Sequence, residues 1–152
     1  MSIQNYKNLL GRWTGSNQLF FEGESYASES ALSVAAAMQG QFILTTYDWA
    51  LEGEPQDGLI IFASRTNTSP VRSLWMDSWH MRNDVMQCAG TRDEKGMLSL
   101  RGSYPAPEGP DWGWRIEIDP KGPDELEVRM FNLTPSGAEQ LAVHGQYRRI
   151  MR

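Results

Sequence analysis

The chain has 152 residues, a net charge of −5 and a single cysteine, with 40% hydrophobic, 22% charged and 11% aromatic residues. These values fit one folded domain able to bury a core without cross-links, and they exclude a disordered chain. The acidic balance leaves no basic field for phosphates, which excludes nucleic acid as a general partner.

Ser2 is placed to cap a short helix carrying Tyr6, Leu9 and Leu10, and Gly11 stands where such a helix stops. From residue 12 to 21 the period becomes two, with Trp13, Gly15, Asn17, Leu19 and Phe21 on one face and Arg12, Thr14, Ser16 and Gln18 on the other. Residues 22–25 form a turn. The stretch 28–38 mixes helix-favouring Ala31 and Ala35 to Ala37 with the alternation of Leu32, Val34 and Met38, and it reads as a strand. Phe42 to Leu51, β-branched and aromatic, is the next strand, and residues 53–58 are a turn. Residues 59–64 form a short strand whose continuous apolar run predicts cover on both faces.

A polar loop follows, then a strand over residues 71–79 with the dense run Leu74-Trp75-Met76-Asp77-Ser78-Trp79-His80. Two more strands, near 85–91 and 97–103, flank an Asp93-Glu94-Lys95-Gly96 turn, and the proline-rich stretch 104–111 is a surface crossing at the rim. Trp112, Trp114, Ile116 and Ile118 then share one face, answered beyond a Pro120–Pro123 turn by Leu126, Val128 and Met130. Setting Glu117 against Arg129 puts opposite charges together, whereas the neighbouring same-face register opposes like charges. In the last strand Leu141, Val143 and Tyr147 face inward, with Gln140, Ala142, His144 and Gln146 outward.

About ten short strands with regular turn signals, no βαβ pattern and no internal repeat predict an all-β protein: a single antiparallel up-and-down β-barrel with a short N-terminal helix, one domain over residues 1–152. Barrels of this size enclose room for a small ligand. Lone Cys88 permits no intramolecular disulfide, the first residues lack the pattern of a secretory signal, and no apolar run approaches the ~20 residues of a membrane helix. The expectation is a cytoplasmic protein with no membrane partner, monomeric or homodimeric.

Gly11-Arg12-Trp13-Thr14-Gly15, Gly40-Gln41-Phe42, Gly58-Leu59, Trp75-Met76-Asp77-Ser78 and Tyr147-Arg148-Arg149 together resemble the calycin group, the lipocalins and fatty-acid-binding proteins. More narrowly, the chain resembles an uncharacterised bacterial family of lipocalin-like domains of unknown function. The resemblance implies that Trp13 closes the barrel floor and that a basic residue of the last strand stacks across it. Strand parity puts Arg149 on the face of Tyr147 and makes it the first choice over Arg148. A guanidinium over an indole is worth about 0.5–2 kcal/mol.

Candidate chemistry concentrates elsewhere. Trp75, Asp77 and Trp79 fall on one strand face and would line a cavity if that face is inward; the opposite face, with Leu74, Met76, Ser78 and His80, is also half apolar. A buried Asp77 would orient a polar head group or act as acid or base with a raised pKa, or simply hydrogen-bond a neighbouring strand. Tyr47 or Asp48 and Trp49 pose the same question one hairpin earlier, and Trp114 completes the candidate lining. His144 suits a haem iron by chemistry, but its parity is outward; His80 sits at a strand end near the rim. No metal-ligand spacing, nucleophile elbow, phosphate loop or dinucleotide fingerprint is present, so no metal, cofactor or catalytic set is assigned. Three functions remain open: binding of a small, largely apolar molecule in the barrel, a small isomerase or decarboxylase using Asp77, Tyr47 or His80, and a structural barrel filled by its own side chains.

Overall fold

The period-two patterning closes into a ring. The computed structural model describes residues 3–152. Ten strands follow in chain order: β1 (Gly11–Phe21), β2 (Glu24–Ala37), β3 (Phe42–Leu51), β4 (Glu54–Ala63), β5 (Val71–Asp77), β6 (Met86–Arg92), β7 (Leu98–Tyr104), β8 (Trp112–Gly122), β9 (Glu125–Leu133) and β10 (Glu139–Met151). Each pairs antiparallel with its neighbours, and β10 returns to β1, so the sheet is a closed up-and-down barrel with no free edge. The register Glu117↔Arg129 is the one the charges select. On that outer face Arg129 bridges Glu117 at 3.0 Å and Asp119 at 2.9 Å. Exposed pairs of this kind fix register more than they stabilise.

Inward side chains fill the lower half of the barrel. Ile43, Ile60, Phe62, Leu98, Leu100, Ile116, Ile118 and Leu126 are all essentially buried. At this end Trp13 has no solvent exposure, and its Nε1 donates to the Leu9 carbonyl at 3.0 Å. The Arg149 guanidinium lies 4.2 Å from the Trp13 ring centroid and donates to the carbonyls of Leu10, Asn8 and Pro123. Gly11 makes this packing possible: its φ is +133°, and a Cβ there would sit 2.3 Å from the Met151 carbonyl oxygen and 2.8 Å from Arg149 Nη1. The floor is therefore Trp13 clasped by Arg149, tied to the N-terminal segment.

Several sequence expectations change. The N-terminal helix does not form; Ile3–Tyr6 is a single 3₁₀ turn, and the Ser2 cap lies outside the described residues. Tertiary packing overrides the helix signal here: Tyr6 and Leu9 bury themselves at the floor, Tyr6 edge-on to Phe62 at 5.1 Å. The turn expected over 53–58 shrinks to Glu52-Gly53, and that over 22–25 to Glu22-Gly23; both residues of each pair have positive φ, the two-residue hairpin geometry that suits strand twist. Strands β2 and β4 lengthen accordingly. Leu59 and Ile61 stand half-buried on the outer wall without a second layer over them. Leu141 faces outward, 39% exposed, because a bulge between Leu141 and Val143 shifts the phase of β10 at Ala142. No helix among the described residues is long and apolar enough to cross a membrane.

Candidate functional site

The end opposite Trp13 is built differently. Strand β5 stops at Asp77, two residues earlier than the alternation suggests, because Asp77 itself ends it. Its Oδ1 accepts the backbone N–H groups of Trp79 (2.9 Å) and His80 (2.8 Å), and its carbonyl accepts those of Met81 (3.0 Å) and Arg82 (2.9 Å). The chain turns inward over residues 78–83 as a result. Trp79 therefore leaves the strand face it was expected to share with Trp75 and Asp77, and stands on this turn.

Trp75 and Asp77 do face inward, at 1% and 3% exposure. The other oxygen of Asp77 accepts the Tyr47 hydroxyl at 2.7 Å and Trp49 Nε1 at 3.3 Å, while Trp75 Nε1 donates to the Tyr47 oxygen at 3.0 Å. Tyr47 reaches this position because its cross-strand partner is Gly58; a Cβ there would lie 2.1 Å from the phenol ring. Burial first, and then the Asp77 carboxylate, push the Tyr47 phenol well above its ordinary range, so it remains a donor. Four donors meet one carboxylate. A buried charge is tolerated on such terms, and no lone-pair direction is left for a substrate. The geometry thus supports Asp77 as the organiser of the turn rather than as a proton carrier.

What the turn carries into the barrel is His80. Its imidazole lies among four indoles, with ring centroids at 4.8 Å from Trp79, 5.4 Å from Trp114, 5.7 Å from Trp49 and 5.7 Å from Trp75. Burial lowers its pKa, opposed in part by Asp77, so the ring is neutral near pH 7. Trp75 and Trp114 stack nearly parallel, 5.1 Å apart with a 9° tilt. Above them opens a cavity of about 390 Å³ whose aromatic walls are Phe21, Trp75, Trp79, Tyr104 and Trp114, completed by Met81 and Met86. Beneath His80 a small void of about 10 Å³ touches Asn17, Asp77 and Trp49, close to the ~10–15 Å³ that one water requires. A depression of about 580 Å³ on the outer wall, between Arg12, Ser33, Asp57 and Met76, is open and of mixed charge.

Of the residues singled out in the sequence, Trp75, Trp79 and Trp114 line the mouth cavity, and Tyr47 and Asp77 support it from below. His144 does not join them: it stands on the outer wall with Nε2 3.5 Å from Glu127. His80, by contrast, is central to the site rather than at its rim. Sequence reasoning missed Asn132 and gave Asn17 only a strand face. Asn17 carries the inward parity of β1, a polar residue among apolar neighbours, and that was its one available signal.

The comparisons with known proteins follow the fold. Residues 4–149 match the family described as protein of unknown function, DUF1579, and the chain belongs to that family. No match is found among the curated proteins. The crystal structure of Rv2717c from M. tuberculosis superposes with a TM-score of 0.69 at 16% identity, covering 97% of this chain and 96% of that one. The S-type phycobiliprotein lyase CPES from Guillardia theta gives 0.62 at 13% identity, covering 99% and 93%. Both are likenesses of fold.

Proposed function

We propose that this DUF1579 member is a calycin-type, single-domain cytoplasmic barrel that binds a small, largely apolar molecule in its mouth. The observation that carries this reading is the indole-walled cavity of about 390 Å³ at the end opposite the Trp13 floor. Its size, its concavity and its few polar groups are those of a small-molecule site. The packed lower half limits the ligand to the upper barrel, so the cavity is a cup and not a through-channel. Likeness of fold to an S-type phycobiliprotein lyase is in keeping with a small-molecule role for barrels of this shape. Saturation of Asp77 by four donors speaks for binding over proton transfer at that residue. A single buried cysteine fits the cytoplasmic assignment.

The test uses N-phenyl-1-naphthylamine, an uncharged fluorescent probe. The expected result is a saturable rise in emission at one site per chain, reduced at least about tenfold in affinity by Ala142→Phe, which fills the cavity wall. Unsaturable emission, or affinity indifferent to Ala142→Phe, contradicts the reading.

A further inference from the structure

The mouth cavity also carries a charge and hydrogen-bond pattern that narrows its ligand. Among the described residues its lining includes no lysine or arginine, and Asp84 is its one acidic side chain. A carboxylate pushed into this site would lose its hydration without gaining a counter-charge, which is costly. The polar groups left unmatched include N–H donors, beside a neutral His80 imidazole that carries one donor and one acceptor nitrogen. Trp114 is only 6% exposed, yet its Nε1 is buried with no hydrogen-bond partner. Directly opposite it across β8 and β9 stands Asn132, whose Oδ1 accepts the Tyr104 hydroxyl, leaving its amide nitrogen without a protein partner. Asn132 is only partly buried, but a fully buried unmatched donor such as Trp114 Nε1 is uncommon enough to need a reason. Beside them, burial keeps His80 uncharged.

We propose, building on the reading of the mouth as a ligand cavity, that its ligand is an uncharged planar aromatic molecule of two or three rings bearing a hydrogen-bond acceptor such as a carbonyl. The acceptor takes the N–H groups of Trp114 and Asn132. The rings stack among Trp75, Trp79, Trp114 and Phe21, geometry that aromatic pairs favour, while Met81 and Met86 adapt to ring outline. Because Trp114 Nε1 is itself buried, binding requires the 78–83 turn that bears His80 to shift. The pattern excludes fatty-acid anions as the preferred class.

Three matched probes separate these terms by calorimetry: 2-acetylnaphthalene, naphthalene and 2-naphthoate. We expect the ketone to bind about fivefold more tightly than the hydrocarbon, as one or two net hydrogen bonds allow, and at least about thirtyfold more tightly than the carboxylate. Trp114→Phe keeps the ring and removes the donor; Asn132→Asp keeps the Tyr104 acceptor and removes the amide N–H. Each should bring the ketone close to the hydrocarbon. Naphthoate equal to or tighter than the ketone overturns the proposal, as does a ketone preference unchanged in both variants. So does failure of all three probes to bind. In that last case saturable binding of N-phenyl-1-naphthylamine preserves the cavity reading and removes only the ligand class, whereas its failure removes both.

Discussion

Both ends of the barrel are built on a tryptophan and a basic residue, and they reach opposite outcomes. At the floor, Trp13 is fully buried, its N–H is matched by Leu9, and a charged Arg149 lies over its ring with donors matched by carbonyls. At the mouth, Trp114 keeps an unmatched N–H, its basic neighbour His80 is neutral, and about 390 Å³ stays open beside them. The difference lies in what the backbone supplies. The N-terminal segment crosses the floor and offers carbonyls there, while at the mouth the 78–83 turn folds inward but leaves polar groups without partners. A satisfied aromatic-cation pair closes space; an indole with an unmatched N–H beside a neutral imidazole leaves it available.

Truncation at the two ends should therefore cost different amounts. Trp13→Ala is expected to lower stability by about 3–5 kcal/mol in urea unfolding, as for other fully buried aromatics. Trp79→Ala, partly buried at the mouth, should cost roughly 1–2 kcal/mol. Equal losses would dissolve the distinction between a structural and an open end.

The support beneath the mouth comes next. Gly58→Ala sets a Cβ 2.1 Å from the Tyr47 ring and must displace the phenol from Asp77; a loss of about 1–3 kcal/mol is expected, as for overpacking. Asp77→Asn preserves shape but points an amide nitrogen at groups that are themselves donors, so roughly 1.5–3 kcal/mol should be lost. Both changes should also weaken probe binding at the mouth, whereas neither should alter the floor. If Asp77→Asn leaves stability and binding unchanged, the carboxylate does not organise the turn.

The floor was legible in the sequence because its logic is local and periodic. Gly11-x-Trp13 opens a strand, and simple parity selects Arg149 over Arg148. The strand count and the Glu117↔Arg129 register were legible for the same reason. The mouth was not, because it depends on places where periodicity fails. Asp77 terminates a strand by accepting N–H groups from residues ahead of it, which moved Trp79 off the strand face and drove His80 inside. A one-residue bulge turned Leu141 outward and brought Ala142 to the cavity wall. The Glu22-Gly23 and Glu52-Gly53 hairpins lack the Asn-Gly or Asp-Gly signature, so two strands read too short. Asn132 gave no signal at all; its place opposite Trp114 exists only once β8 and β9 are paired.

The smallest expected effect is a pH dependence confined to the mouth. Native His80 has a pKa below the unfolded value of about 6.5. The native state then binds fewer protons than the unfolded one, so the stability linked to this group is fully present above about pH 6.5 and is lost as pH falls through the native value. Thermal unfolding should show Tm falling between about pH 7 and 5, less steeply in His80→Gln. An unchanged slope in that variant would place the acid sensitivity elsewhere.

The most direct test follows the side-chain N–H signals of the six tryptophans in a ¹⁵N-labelled sample titrated with 2-acetylnaphthalene, each assigned by its Trp→Phe variant. Saturable shifts at Trp75, Trp79 and Trp114, with Trp114 moving farthest and Trp13 unmoved, are the predicted result. Shifts centred on Trp13, or no movement of the three mouth indoles at saturating probe, would contradict an account in which one end of this barrel is closed by design and the other is open to a ligand.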